Sequence, residues 1–244
     1  QATPLRGLFL PKHRMELQQV LVLLDEASRL NSQARRNLAR GVADEGDSAA
    51  RVLLLELYMA AGQNQLAADL GSTLLLQPSA SHSEPIFRLT FQSLLRIGQN
   101  VRALRLVQNL DWAKVRPGSE LCLEVADFLF EHHAWGQLSQ VSARLTALQD
   151  RTTVSAARFY DGFAYSAQEK WPQAAKALIE FKRLKQNTGP VPYARPRADL
   201  QLAHIYRRLA ESAEDTSPAT NPVQIAKWHQ LEFEHFFHSL NLKN

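Results

Sequence analysis

The chain has 244 residues, 45% of them hydrophobic and 21% charged, which excludes general disorder and fibrous repeats and allows a sizeable core in one or two domains. Its 28 basic and 24 acidic side chains leave a net charge of +4, distributed as +4 over 1–118, −3 over 119–168 and +3 over 169–244. An acidic middle between basic ends is not the single basic stripe of a nucleic-acid binder, and it favours a protein partner.

The chain opens at Gln1, which reads as a processed N-terminus or as a piece cut from a longer protein. Residues 1–11 read as an irregular arm; their short apolar run Gly7-Leu8-Phe9-Leu10 lacks the length of a signal sequence. No run approaches the 18 or so apolar residues that a membrane span needs. From residue 12 onward helical periodicity is nearly continuous. It predicts helices over 12–30, 32–44, 48–61, 64–77, 84–97, 100–110, 119–133, 136–149, 153–169, 171–186, 196–212 and 222–240. Residues 12–47 form a divergent first pair, 48–212 the regular part, and 222–244 a terminal apolar helix. No alternating strand pattern competes.

Several boundaries have a local cause. Gly62 and Gly98 sit where one helix must stop and reverse, and glycine accepts the left-handed backbone that such a stop often uses. Ser81-x-x-Glu84 has the form of a capping box. Asn221-Pro222 places a capping residue before a proline at the first helical position. Three longer connections remain: 111–118, 187–195 and a polar, mobile loop over 213–221.

A side-chain pattern repeats along these helices. Tyr58, Leu94, Leu129 and Tyr165 follow one another at 36, 35 and 36 residues, and Tyr206 comes 41 later. Repeats of this length are two-helix units that stack, because one unit cannot bury its apolar face alone. The expected fold is an all-α, right-handed α-solenoid of about six antiparallel hairpins forming a single domain over 1–244.

The details resemble the tetratricopeptide repeat. Asp161-Gly162-x-x-Tyr165, Trp171 and Ala174-x-x-x-Leu178 form the best match. Leu54-Leu55-x-x-Tyr58 with Gly62, Ala67 and Pro78 forms another, as do Phe87, Gly98, Ala103 and Val107. Val125-Ala126-x-x-Leu129 with Trp135, and Leu202-Ala203-x-x-Tyr206, complete the set. The resemblance covers about 48–212, with a period nearer 36 than the family's 34 or so. It implies that the first helix of each hairpin lines a concave groove for a peptide or partner protein. Carried over, the groove positions are Val52, Glu56 and Met59; Arg88, Gln92 and Arg96; Leu123, Asp127, Phe130 and Glu131; Phe159 and Phe163; and His204, Arg207 and Arg208. Glu124 stands where a carboxylate-clamping Asn is expected, so that clamp is absent.

Chemistry-bearing motifs are few. There is no phosphate-binding glycine loop and no nucleophile elbow, so catalysis is not expected and no cofactor is implied. Cys122, the only cysteine, lies on an apolar helix face and reads as a buried, inert thiol, compatible with the cytosol or a bacterial periplasm. His132-His133 reads as a helix-end cap. His229, Glu232, His235 and His238 have metal-like spacing in the last helix, but matching ligands from other helices are not evident, so the reading is a polar flank and no metal. Basic clusters at Arg29, Arg35, Arg36 and Arg40, and at Lys182, Arg183 and Lys185, read as solvated faces. Trp228, Phe233, Phe236 and Phe237 make the last helix apolar around much of its circumference: a packing face or a second interface, such as a homodimer contact.

The function expected from these features is a non-enzymatic scaffold or adaptor, as in assembly or secretion. The alternatives are a ligand-sensing or scaffold module of a larger enzyme or regulator, a nucleic-acid-binding helical repeat, and a metal-dependent enzyme built on the last helix.

Overall fold

The computed structural model describes residues 48–76, 83–184, 194–216 and 222–240. The expected arm 1–11, the helix pair over 12–44 and the arginines at 29, 35, 36 and 40 lie outside the described residues. Among the described residues the secondary structure is all helix: α1 (Ser48–Ala60), α2 (Asn64–Leu75), α3 (Glu84–Arg96), α4 (Asn100–Gln108), α5 (Trp112–Val115), α6 (Ser119–Glu131), α7 (Trp135–Ala147), α8 (Arg151–Ala167), α9 (Trp171–Arg183), α10 (Ala194–Thr216) and α11 (Pro222–Leu240). The sequence reads as one continuous domain; the contacts divide into two compact units, Gln1–Arg116 and Pro117–Asn244.

Four turns between helices are copies of one another. Gly62, Gly98, His133 and Glu169 have φ of 73°, 69°, 54° and 58°, and they lie 36, 35 and 36 residues apart. One residue later, the N–H of Gln63, Gln99, Ala134 and Lys170 donates to the carbonyl of Tyr58, Leu94, Leu129 and Tyr165 at 2.8, 2.9, 2.9 and 2.9 Å. This is the six-to-one bond of a Schellman stop, and its acceptors are the four residues that mark the sequence repeat. At His133 and Glu169 the same geometry is adopted without glycine, at a cost of roughly 1 kcal/mol per residue.

In the first unit, α1 packs against α2 and α3, α2 against α3, and α3 against α4. Leu54, Leu55, Tyr58, Ala67, Leu74 and Ile86 fill the space between α1, α2 and α3. Gly71 on α2 lies so near α3 that a Cβ there would meet Thr90 Oγ1 at 1.9 Å. In the second unit each helix from α6 to α11 packs against the next, and α8 also touches α6 and α10. Fully buried Leu121, Leu129, Leu138, Phe159 and Tyr160 lie at the centre. Gly162 on α8 repeats the close approach, since its missing Cβ would fall 2.4 Å from Leu178 of α9.

Three local expectations are corrected. Residues 111–118 are not plain connection: they hold α5, whose first turn is closed by Asp111, with carbonyl bonds from the N–H groups of Lys114 and Val115 at 3.1 and 3.0 Å. Helix α10 runs four residues beyond 212, to Thr216, because Ala213 and Glu214 extend a helix readily and no proline or glycine intervenes before Pro218. Helix α3 begins at Glu84 with Ser83, not Ser81, in the capping position, and that cap makes no side-chain bond. The cap at Asp150 was not anticipated: its carboxylate accepts from the N–H of Thr152 and Thr153 at 3.0 and 3.2 Å. Cys122 is buried, and among the described residues no helix is long and apolar enough to cross a membrane.

Candidate functional site

The first helices of three successive hairpins in the second unit, α6, α8 and α10, meet side chain to side chain. From α6 come Asp127, Phe130 and Glu131; from α8, Tyr160, Phe163 and Ser166; from α10, Arg197 and Gln201. The Tyr160 hydroxyl donates to the Asp127 carboxylate. Arg197 donates to Glu131 at 3.3 Å while its guanidinium stands 5.6 Å from the centre of the Phe130 ring. Gln201 donates to Ser166 Oγ at 2.5 Å. Spacings of four along α6 and α10 put each pair on one helix face, which aligns the three helices as a polar strip over an aromatic floor.

That floor is continuous. Phe130 has Phe163 at 4.9 Å, Phe159 at 5.4 Å, Tyr160 at 5.9 Å and Trp135 at 6.0 Å between ring centres. Phe130 and Phe159 are therefore core rings, not open groove surface, whereas Phe163 is only half-buried. Glu131 and Arg197 are exposed, and their ion pair contributes little by itself, under about 1 kcal/mol.

Electrostatics on this strip come from partial burial. Desolvation raises the Asp127 carboxyl above its ordinary 3.8; neighbouring Glu131 and Glu124 raise it further, and only the Tyr160 hydroxyl opposes them. Burial likewise lifts the Tyr160 phenol far above its usual range. Asp161, facing the other way toward Ser142 at 2.5 Å and Arg158 at 3.5 Å, is also raised by burial. The sign for Asp127 follows. A carboxyl whose folded pKa is raised favours folding in its protonated form, and that contribution is lost as pH rises from about 3.8 through the higher folded value. Asp127→Asn, whose amide oxygen still accepts from Tyr160, should therefore gain Tm relative to wild type at pH 7 and lose that gain near pH 3.5. An equal gain at both pH values would remove desolvation as the cause.

The other expected positions are scattered more widely. Arg88, Gln92 and Arg96 share one face of α3 in the first unit; Arg96 is exposed, and Arg88 is close enough to Glu56 to offset part of the burial that raises that carboxyl. Met59 is core. Arg207 is exposed and bonds Glu211 on its own helix at 3.0 Å. Trp228 is half-buried, and Phe233, Phe236 and Phe237 are 62%, 45% and 49% exposed. Helix α11 packs along α10 yet buries none of its residues fully. His132 bonds the Phe128 carbonyl at 2.9 Å, as a cap. A hollow of about 390 Å³ in the first unit is lined by Leu75 of α2, Phe87 of α3, Arg102, Arg105 and Leu106 of α4, and Leu110 before α5.

Sequence reasoning missed Tyr160 and Arg197. Tyr160 falls one short repeat after Asp127, 33 residues on, but it sits beside Phe159, and periodicity alone does not tell which neighbour faces the strip. Arg197 is displaced from the repeat by the long connection before α10. No family model matches the chain, and no curated protein matches it either.

Proposed function

We propose that the chain is a non-enzymatic scaffold that binds a peptide or partner protein along the α6–α8–α10 strip, with the hairpins of this unit stacked as in tetratricopeptide-like solenoids. The observation that carries this reading is the convergence of Glu131, Phe163 and Arg197, from three helices, on one surface. Exposed charges of both signs beside an aromatic edge are the composition of an interface: Arg and aromatic side chains supply most hot spots, and a weak Glu–Arg pair opens at little cost to meet a partner's charges. The four-fold repetition of the Schellman turn supports stacked, equivalent hairpins.

The test is a pull-down with the purified chain from lysate, followed by titration of each captured partner. Glu131→Ala and Arg197→Ala are compared with Lys176→Ala, an exposed residue on α9 away from the strip. A partner that weakens by about tenfold with the strip variants, while Lys176→Ala binds as wild type, is the expected result. Binding that is indifferent to Glu131 and Arg197 would sink the reading.

A further inference from the structure

The histidines of α11 separate into two groups. His229 bonds Glu232 at 3.3 Å and Glu214 of α10 at 3.4 Å, which occupies Glu232 and takes both away from their neighbours. His235 and His238 turn the other way and meet Asp199 of α10; a nitrogen from each ring and a carboxylate oxygen lie within 4.8 Å of one another. The partner ligand that the sequence did not reveal comes from a different helix, 36 residues upstream of His235.

We propose that Asp199, His235 and His238 bind a borderline divalent transition cation of the Zn2+ type and so fasten α11 to α10. Two imidazoles and one carboxylate suit such a cation, and they do not suit Mg2+ or Ca2+, which demand oxygen. The inner half of the site is held in place. His235 Nδ1 is 2.8 Å from Asp199 Oδ1, and its ring lies flat on Tyr206, with centres 5.7 Å apart and planes 9° from parallel. Asp199 and Tyr206 are two helical turns apart on α10, so one face of that helix supplies both supports. His238 is exposed and free to turn inward, as it must: ligands about 2.0–2.2 Å from a tetrahedral zinc lie closer together than the present spread.

The position already holds positive charge. Lys182 of α9 places its ammonium on Asp199 Oδ1 and 3.5 Å from His235 Nδ1. The Lys182 side chain is 28% exposed, so it can swing to solvent when a metal takes its place.

The experiment titrates ZnCl2 into the chelator-treated full chain by calorimetry, with Co2+ absorption as a coordination readout. One Zn2+ per chain is expected. His238→Gln, at an exposed position, should weaken binding by about tenfold or more without unfolding the chain. Lys182→Met, which removes the competing ammonium, should tighten it; His229→Gln should leave it unchanged. No saturable Zn2+ binding, binding unaffected by His238→Gln, binding lost with His229→Gln, or binding not tightened by Lys182→Met would each overturn the proposal. None of these outcomes depends on the α6–α8–α10 strip.

Discussion

Phe130→Ala should destabilise the second unit by about 3–5 kcal/mol, the cost of truncating a buried aromatic whose site cannot collapse. Its ring is 7% exposed and is enclosed by Trp135, Phe159, Tyr160 and Phe163, with the Arg197 guanidinium above it. Two other helices and the start of a third rest on that one ring. The loss is comparable with the whole stability of a small natural domain, so a fall in Tm on the order of 10 °C is expected in thermal melts followed by circular dichroism. A shift of only a degree or two would mean that the cluster is not the core it looks like. The result also bears on function. The destabilisation of a variant that lacks Phe130 would confound any loss of a partner, so the strip has to be probed at Glu131 and Arg197, where the exposed side chains leave the fold intact.

The second large effect is expected at Gly162. Gly162→Ala adds one methyl group, and in an exposed helix that change would favour folding by up to about 1 kcal/mol. Here the new Cβ would stand 2.4 Å from both Cγ and Cδ2 of Leu178, whose side chain is fully buried. Overpacking of this kind costs about 1–3 kcal/mol, because α8 and α9 must separate or Leu178 must leave its rotamer. A net loss of about 1–2 kcal/mol in urea unfolding is expected. The double variant Gly162→Ala/Leu178→Ala separates the causes. Leu178→Ala alone should cost about 2–5 kcal/mol, and the alanine at 162 should then be tolerated or even favourable. If the two costs simply add, the close approach of the two helices is not what requires glycine at 162.

These two positions also show how far the chain could be read before folding. Gly162 was legible: a small residue three before Tyr165, with Ala174 and Leu178 at fixed distance beyond, is a pattern of close-packed helices. Tyr58, Leu94, Leu129 and Tyr165 were legible as a repeat, and each accepts the same terminal hydrogen bond. The resemblance makes Phe130 groove lining, because it lies on the first helix of its hairpin; its burial depends on Phe163 and Trp135 closing over it, and no sequence spacing reports that. The short helix at Trp112–Val115 was hidden by Pro117 and Gly118, since the bonds to Asp111 that make it are shorter than any periodicity window.

The last helix shows the same division. Its histidine spacing was visible, but no spacing in the sequence points to the matching ligand on another helix. Asp199 joins His235 because α10 and α11 lie side by side along their length, and Lys182 arrives from α9 by the same packing.

By itself, then, the sequence determined the helices, their near-regular recurrence and the small residues where they touch, because hydrogen bonding within a helix and the burial of one face are settled over a few turns. Only the tertiary structure decided that Phe130 is core, that Glu131, Phe163 and Arg197 share a surface, and that Asp199 meets His235 and His238. Those contacts span 33 to 67 residues, and they depend on how whole helices align, a sum of many weak contacts that no local pattern encodes.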